Sequence, residues 1–401
     1  MMPQEKVMSG NYAAAYAAKL ARAEVIPAYP ITPQTSIVEK LSNFIADGEL
    51  NAKMIDVESE HSAMAACISA SSMGARTFTA TSSHGLSLMH ELLIWASGAR
   101  LPIVMAEVSR AMAPPWNVWT DHLDVIAERD TGWIQVFCES NQEVLDSILM
   151  LYRLCEMEDI MLPAMAIMDA FILSHTLVPV SIPDQESVDR FLPEFRLDLP
   201  IETGKRMVVG SVAKPDQYME FRYKMALAMD KVADRIPEVE GEFDRSFGRS
   251  YGGMIEEYRC EDADHILITN GSTASTARYA VNLLREEGKK VGLCKLRVFR
   301  PFPAEEIQKV ISDAASVGVL DRSYTFGHGG AIFSEVRSAC YRSGSSPPLN
   351  NYIAGLGGRD LTPEILRTVF EDIMHGKDGD GKIAWVDLVD EPLIKPFGGE
   401  E

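Results

Sequence analysis

The apolar stretches of this sequence are broken by charges or prolines before about 18 residues accumulate, so none reads as a transmembrane helix. Basic runs are missing too. With 38 Lys and Arg against 58 Asp and Glu, the net charge of −20 would repel a phosphate backbone, and nucleic acid is not expected as a partner. Cysteine is scarce and scattered: Cys67, Cys138, Cys155, Cys260, Cys294 and Cys340 form no C-x-x-C and no pair spaced for zinc or an iron–sulfur cluster. Placed singly they read as small apolar core residues, and any iron–sulfur cluster would have to sit on another polypeptide. The start, MMPQEKVMSGNY, lacks a cationic region followed by an apolar stretch, so a cytoplasmic location is expected.

What is present is an ordinary globular composition, 46% hydrophobic and 24% charged over 401 residues, enough for two domain cores. Between residues 10 and 175, short β-type runs alternate with helical patterns, which predicts an α/β doubly wound parallel sheet. Its strands are placed at Val25 to Ala28, Met54 to Val57, Thr77 to Thr81, Ile103 to Val108, Ile134 to Phe137 and Ala164 to Met168. A proline-rich, charged stretch follows, with one long helix near Gln217 to Arg235 and no strand. A second, smaller α/β pattern begins at Ile266 and includes one strand over Val291 to Val298. The division read from this is 1–178, a connecting region 179–263, and 264–401.

In an open parallel sheet, ligands bind where the strands end, so polar residues just past the strands carry the chemical interest. Four segments qualify. In Tyr29-Pro30-Ile31-Thr32-Pro33 two prolines would stiffen the loop and hold the Thr32 hydroxyl in place, or the loop is simply a rigid turn with Thr35 or Ser36 as a helix cap. Val57 to Ala63 brings Glu58, Glu60 and His61 to a strand end. A glutamate buried beside a ring nitrogen could stabilise a protonated heterocycle, whereas an exposed one would only start a helix. Thr79 to Leu86 sets small hydroxyl residues, Ser83 among them, and Gly85 at a turn whose N–H groups could meet a polar ligand or merely cap the helix. Arg110 is the one charge in the stretch Val108 to Trp116. It would pair with a substrate carboxylate or with one of Asp121, Asp124 and Glu128.

Together these segments resemble the alpha subunit of pyruvate:ferredoxin oxidoreductases and related 2-oxoacid:ferredoxin oxidoreductases. The shared text is YPITP at Tyr29, ESEHSA at Glu58, ART-x-T-x-TSS-x-GL from Ala75, SRA at Ser109, W-x-DH-x-D and RDTGWIQ between Trp119 and Gln135, and FILSHT at Phe171. RVFRPFP at Arg297, VLDRS at Val319 and GLGGRDLTPE at Gly355 extend it to nearly the whole chain. The resemblance implies a thiamine-pyrimidine-binding domain followed by a transketolase C-terminal-like α/β domain. Glu60 would face N1′ of the thiamine pyrimidine and favour the imino form that removes the C2 proton. Ser83 and Gly85 would border the cofactor, Thr32 would lie beside the substrate carbonyl, and Arg110 would pair with the substrate carboxylate.

The same resemblance implies what other chains must provide. A beta subunit would hold the diphosphate, Mg2+ and a [4Fe-4S] cluster, with gamma and delta subunits and ferredoxin completing electron transfer and coenzyme A taking the acyl group. This sequence does contain Gly379-Asp380-Gly381, but no asparagine follows it, and it reads as a solvated turn rather than a diphosphate–metal motif. Gly327 to Gly330 and Gly355 to Gly358 read as tight turns. Pyruvate is the expected substrate, because Met112 and Trp116 flank Arg110 and no second cation accompanies it. An aryl, branched or dicarboxylic 2-oxoacid stays open, as does a noncatalytic assembly subunit.

Overall fold

The computed structural model describes residues 4–197, 200–201, 204, 210–341, 347–375 and 382–389. After β1 (Gln4–Met8) and α1 (Gly10–Leu20), strand and helix alternate: β2 (Val25–Ala28), α2 (Thr35–Ala46), β3 (Lys53–Asp56), α3 (Glu60–Ser72), β4 (Phe78–Thr81), α4 (His84–Gly98), β5 (Val104–Ser109), α5 (Leu123–Ala127), β6 (Ile134–Phe137), α6 (Asn141–Cys155) and β7 (Ala164–Asp169). Strands β4, β5, β7 and β6 lie side by side and parallel. The parallel pair β2–β3 continues this layer through a bridge from Val25 to Thr77. Pro27 has no N–H for a ladder, and the Thr79 hydroxyl donates to its carbonyl instead.

Side chains alternate across the layer. Val104, Ala106 and Val108 of β5 pack with the helices α1 and α6, while Met105 packs with α3 and α4. Helices thus cover both faces, as the alternation of the sequence predicts. The five fully buried alanines of α1, Ala13, Ala14, Ala15, Ala17 and Ala18, let it lie closely on α6.

The middle of the chain holds more structure than its composition indicates. β8 (Val178–Ile182), which straddles residue 178, pairs antiparallel with β1, and α7 (Gln185–Phe191) follows. The long helix α8 spans Pro215–Phe247. It runs through Pro237 and stops at Gly248, whose φ of 69° forms a left-handed cap. Buried Ala228, Val232, Ile236, Val239 and Phe243 form one stripe at helical spacing that seats its later half against the core.

The last part comprises β9 (Ile255–Tyr258), β10 (His265–Thr269), α9 (Thr273–Glu286), β11 (Val291–Leu296), β12 (Val298–Arg300), α10 (Ala304–Ile311), β13 (Ser316–Asp321), α11 (Ala331–Cys340), β14 (Leu349–Ile353), α12 (Pro363–His375) and β15 (Ile383–Trp385). Its sheet has the order β15-β14-β13-β10-β11-β9, parallel except for β9. The single strand expected over Val291 to Val298 is two. β11 stays in this sheet, and β12 crosses to pair antiparallel with β6 at the edge of the first. The switch occurs at Arg297, which is buried and whose guanidinium bonds Glu143 of α6 and Glu240 of α8. Both α/β layers are therefore present and share one core, in which Met105 and Phe137 of the first sheet cluster with Ile268 and Val319 of the second. The Gly379-Asp380-Gly381 turn lies outside the described residues.

Candidate active site

Because β2 to β7 of the first layer run parallel, the segments following them emerge at one edge. At that edge Glu60 is the first residue of α3, next to the cap formed where Ser59 Oγ accepts from Ser62 N. As a residue it is 6% exposed, and its carboxyl group has no hydrogen-bond partner among the described residues. The neighbouring Glu58 is exposed and accepts from the Ser62 hydroxyl over 2.7 Å. Of the two glutamates, only Glu60 is therefore turned inward. Gly85, at the start of α4, lies directly against it: a Cβ there would stand 2.6 Å from Glu60 Oε1 and 2.4 Å from Thr81 Oγ1. That Thr81 hydroxyl is itself buried without a partner.

Ser83 precedes this helix with φ 52° and ψ −117°, a strained conformation for a residue with a side chain. What holds it is a buried carboxylate. Ser83 N–H donates to Asp124 Oδ2 over 3.0 Å and, over 3.3 Å, to Glu107 Oε1. The Ser83 hydroxyl donates to Ala111 O over 2.8 Å. The Ser83 amide thus serves the protein interior rather than facing outward for a ligand. Burial pushes the Glu107 carboxyl well up, reinforced by Asp124, and lifts Asp124 to about 6 against the hydrogen bonds that favour its charge.

Arg110 follows β5 and is 3% exposed. Its backbone N–H donates to Asp124 Oδ2 over 3.0 Å, so the nearby acid grips its main chain and not its guanidinium. The guanidinium donates from Nη1 to Asn117 O over 3.2 Å and lies 5.9 Å from the ring centre of Trp116. Nε is buried with no partner. The structure gathers Glu60, Gly85, Ser83 and Arg110 into one edge of the layer. Thr32 also sits at this edge, but it is exposed, and its side chain has no hydrogen bond among the described residues. Its loop is pinned from α1, where Asn11 Nδ2 donates to Pro33 O and to Ser36 Oγ.

Sequence reasoning passed over Glu107, His84 and Asn117. Glu107 had a legible signal, a lone charge inside an apolar strand. His84 accepts from Ala113 N through Nε2 over 3.0 Å and lies near Trp116, so it staples the loop after Arg110 to the Ser83 turn.

The second layer closes over part of this edge. Asp169 ends β7, and it accepts from Arg322 and Ser272 of the second layer and bonds His122 over 2.6 Å. Burial alone would raise the Asp169 carboxyl, yet His122 and Arg322 outweigh it and hold it below the usual carboxylate range. Among the described residues no group of three or more His, Cys, Asp or Glu side chains could hold a metal, and no helix is long and apolar enough to cross a membrane.

The family model for the thiamine-diphosphate-binding part of pyruvate flavodoxin/ferredoxin oxidoreductases matches residues 16–241, and that for pyruvate:ferredoxin oxidoreductase core domain II matches residues 263–366. Pyruvate synthase subunit PorA of Methanothermobacter thermautotrophicus is 50% identical over 386 residues, covering 96% of this chain and 99% of that protein. Ketoisovalerate oxidoreductase subunit VorA of Pyrococcus abyssi is also 50% identical, over 390 residues, covering 96% and 98%. The fold matches a 2-oxoglutarate:ferredoxin oxidoreductase from Magnetococcus marinus with a TM-score of 0.74 at 19% identity, covering 93% of this chain and 66% of that one. A split-gene transketolase matches with a TM-score of 0.50 at 12% identity, covering 93% and 100%. Nearly full-length identity of this size, carried on the expected two-layer fold, shows that the chain belongs to the pyruvate flavodoxin/ferredoxin oxidoreductase family and is a PorA-like subunit of a multisubunit 2-oxoacid:ferredoxin oxidoreductase.

Proposed function

We propose that this subunit binds the pyrimidine of thiamine diphosphate with Glu60 and the carboxylate of pyruvate with Arg110. The observation that carries the reading is Glu60, a largely buried residue at the sheet edge whose carboxyl group has no hydrogen-bond partner among the described residues. A buried carboxyl is costly unless something hydrogen-bonds it, and a ring nitrogen would do so. The residues fit such a ring: Thr81 offers a hydroxyl without a partner, Gly85, where a Cβ would collide with Glu60 Oε1 and Thr81 Oγ1, lets both groups keep these positions, and Ser83 borders the site. Thiamine diphosphate bound there would supply the nucleophilic carbon and the electron sink for decarboxylation.

The chain's own groups do the rest. Glu60 holds a proton at the ring nitrogen, and Arg110 turns its unpaired Nε–H and fork toward the oxoacid carboxylate. Thr32, exposed on its pinned loop, would donate to the substrate carbonyl once a partner subunit closes the site. Partner beta, gamma and delta subunits would carry the diphosphate, Mg2+ and [4Fe-4S] clusters, with ferredoxin as electron acceptor and coenzyme A as acyl acceptor. We place the enzyme in the cytoplasm, and divide the chain into a pyrimidine and substrate domain (1–178), a connecting region (179–263) and a transketolase C-terminal-like domain (264–401).

Arg110 is the sole basic residue between Ser109 and Trp119, which favours a monocarboxylic substrate over a dicarboxylic one. Relatives named for pyruvate and for ketoisovalerate are equally similar, so a branched oxoacid is the competing outcome. The test is anaerobic co-purification with the native partners, then viologen reduction with coenzyme A and a panel of 2-oxoacids. Highest kcat/KM on pyruvate supports the proposal. Preference for a branched, aryl or dicarboxylic oxoacid overturns the substrate, and no reduction with any oxoacid, in a complex shown to hold thiamine diphosphate and clusters, favours an assembly role.

A further inference from the structure

The loop that begins at Arg110 is held from the other half of the chain. Residues 110–120 double back so that Ala111 N donates to Trp119 O over 3.0 Å. At the tip, Asn117 uses both ends of its side chain. Oδ1 accepts from Trp119 N over 2.7 Å, which closes a local turn, and Nδ2 donates to Gly357 O over 2.9 Å. Beside it, Gly358 N donates to Thr120 O over 2.8 Å.

The receiving turn has room for this contact only because it is glycine. Gly357 and Gly358 have φ of 60° and 81°, and a Cβ on them would stand 2.7 Å from Asn117 Nδ2 and 2.3 Å from Trp119 Cβ. The turn is fixed in its own right. Arg322, buried, donates from Nε to Gly355 O over 3.2 Å and from Nη1 to Asp169 Oδ2 over 3.3 Å.

Asn117 also controls where Arg110 points, because its backbone oxygen receives the guanidinium's only hydrogen bond among the described residues. A bidentate carboxylate contact tolerates little displacement, so whatever fixes Asn117 fixes the anion site. We infer that Asn117 is a positioning residue for the substrate carboxylate, and that the Gly357–Gly358 turn of the second layer is the stop against which it sets Arg110. This rests on the reading of Arg110 as the oxoacid's anchor.

The experiment compares the co-purified complex carrying Asn117→Ala or Asn117→Ser with the parent. Serine can keep the local turn to Trp119 but cannot reach Gly357. A carboxylate anchor acts in ground and transition states alike, so its misplacement raises KM for the oxoacid more than it lowers kcat. From the loss of one hydrogen bond, both variants are expected to raise that KM about 3- to 10-fold, with KM for coenzyme A unchanged.

A parental KM in both variants overturns the inference. So does a KM raised in the alanine variant alone, since the bond to Gly357 would then be idle, or an equal rise for coenzyme A, which would mark general distortion. Loss of the complex in both variants also overturns it, because Asn117 would then serve assembly. A parent complex that reduces viologen with no oxoacid instead refutes the function proposed above, a result distinct from each of these.

Discussion

Ser83 and Arg110 donate their backbone N–H groups to the same oxygen, Oδ2 of Asp124, each over 3.0 Å. Oδ1 of that carboxylate accepts from the Ser109 hydroxyl over 2.6 Å and from Val125 N over 2.8 Å. One buried acid therefore ties the turn beside the cofactor site to the root of the substrate arginine. Asp124→Ala leaves the Arg110 and Val125 amides without an acceptor, with Ser83 N–H kept only by Glu107 and the Ser109 hydroxyl by Asp121 O, and is expected to cost about 2–5 kcal/mol of stability. Chemical denaturation of the purified subunit measures this, and a loss under about 1 kcal/mol would show that the clamp is idle.

Glu107 lies beneath Ser83 with its carboxyl pushed well up by burial and by Asp124. A carboxyl whose folded pKa is raised binds more protons folded than unfolded. Its contribution is complete below the ordinary value of about 4 and is lost as pH rises toward the folded value. Asp124, at about 6, adds the same sign of slope between about pH 4 and 6. Glu107→Gln mimics the protonated acid, so the melting temperature of the variant should fall less than the parent's as pH rises from 5 to 8. Parallel curves would mean that Glu107 is ionised.

Asp169 has the opposite sign. His122 and Arg322 hold its carboxyl low against burial, so its stabilisation is present above about pH 4 and lost as pH falls below that. Asp169→Asn breaks a buried pair joining the two layers, with an expected cost of about 3–5 kcal/mol at pH 7 that shrinks in acid. Denaturation at pH 7 and at about pH 2.5, below the ordinary carboxylate value, checks both the size and the trend.

Arg110→Lys keeps the charge and removes the planar fork. KM for the oxoacid should rise about 10- to 100-fold with little change in melting temperature, as measured by steady-state kinetics and calorimetry on the same complex. A change confined to stability would make Arg110 structural.

Most of the frame was legible because period and punctuation agreed. Val25–Ala28 and Ile134–Phe137 were placed residue for residue by short apolar runs between turns. The strand Val298–Arg300 was not legible. It continues the apolar run of β11, and only the burial of Arg297 between Glu143 and Glu240 moves it to the other sheet. β1 and β8 escaped because they pair only with each other, at opposite ends of the first layer's sequence. At the site, Glu60 and Arg110 stood out as charges past strand ends. The roles of Asn117 and Gly357 could not be read, since partners 240 residues apart leave no local pattern.

The central claim is that Glu60 supplies the buried carboxylate that activates the pyrimidine. The direct measurement is exchange of the thiamine C2 proton for deuterium in the purified complex, parent against Glu60→Gln. The substitution keeps the shape against Gly85 and removes only the acid. Exchange slowed at least about 100-fold, with subunits and cofactor still bound, is the expected result, in the range for loss of a general acid–base group. Parental exchange in the Gln variant would contradict the claim and move the activating group to another residue.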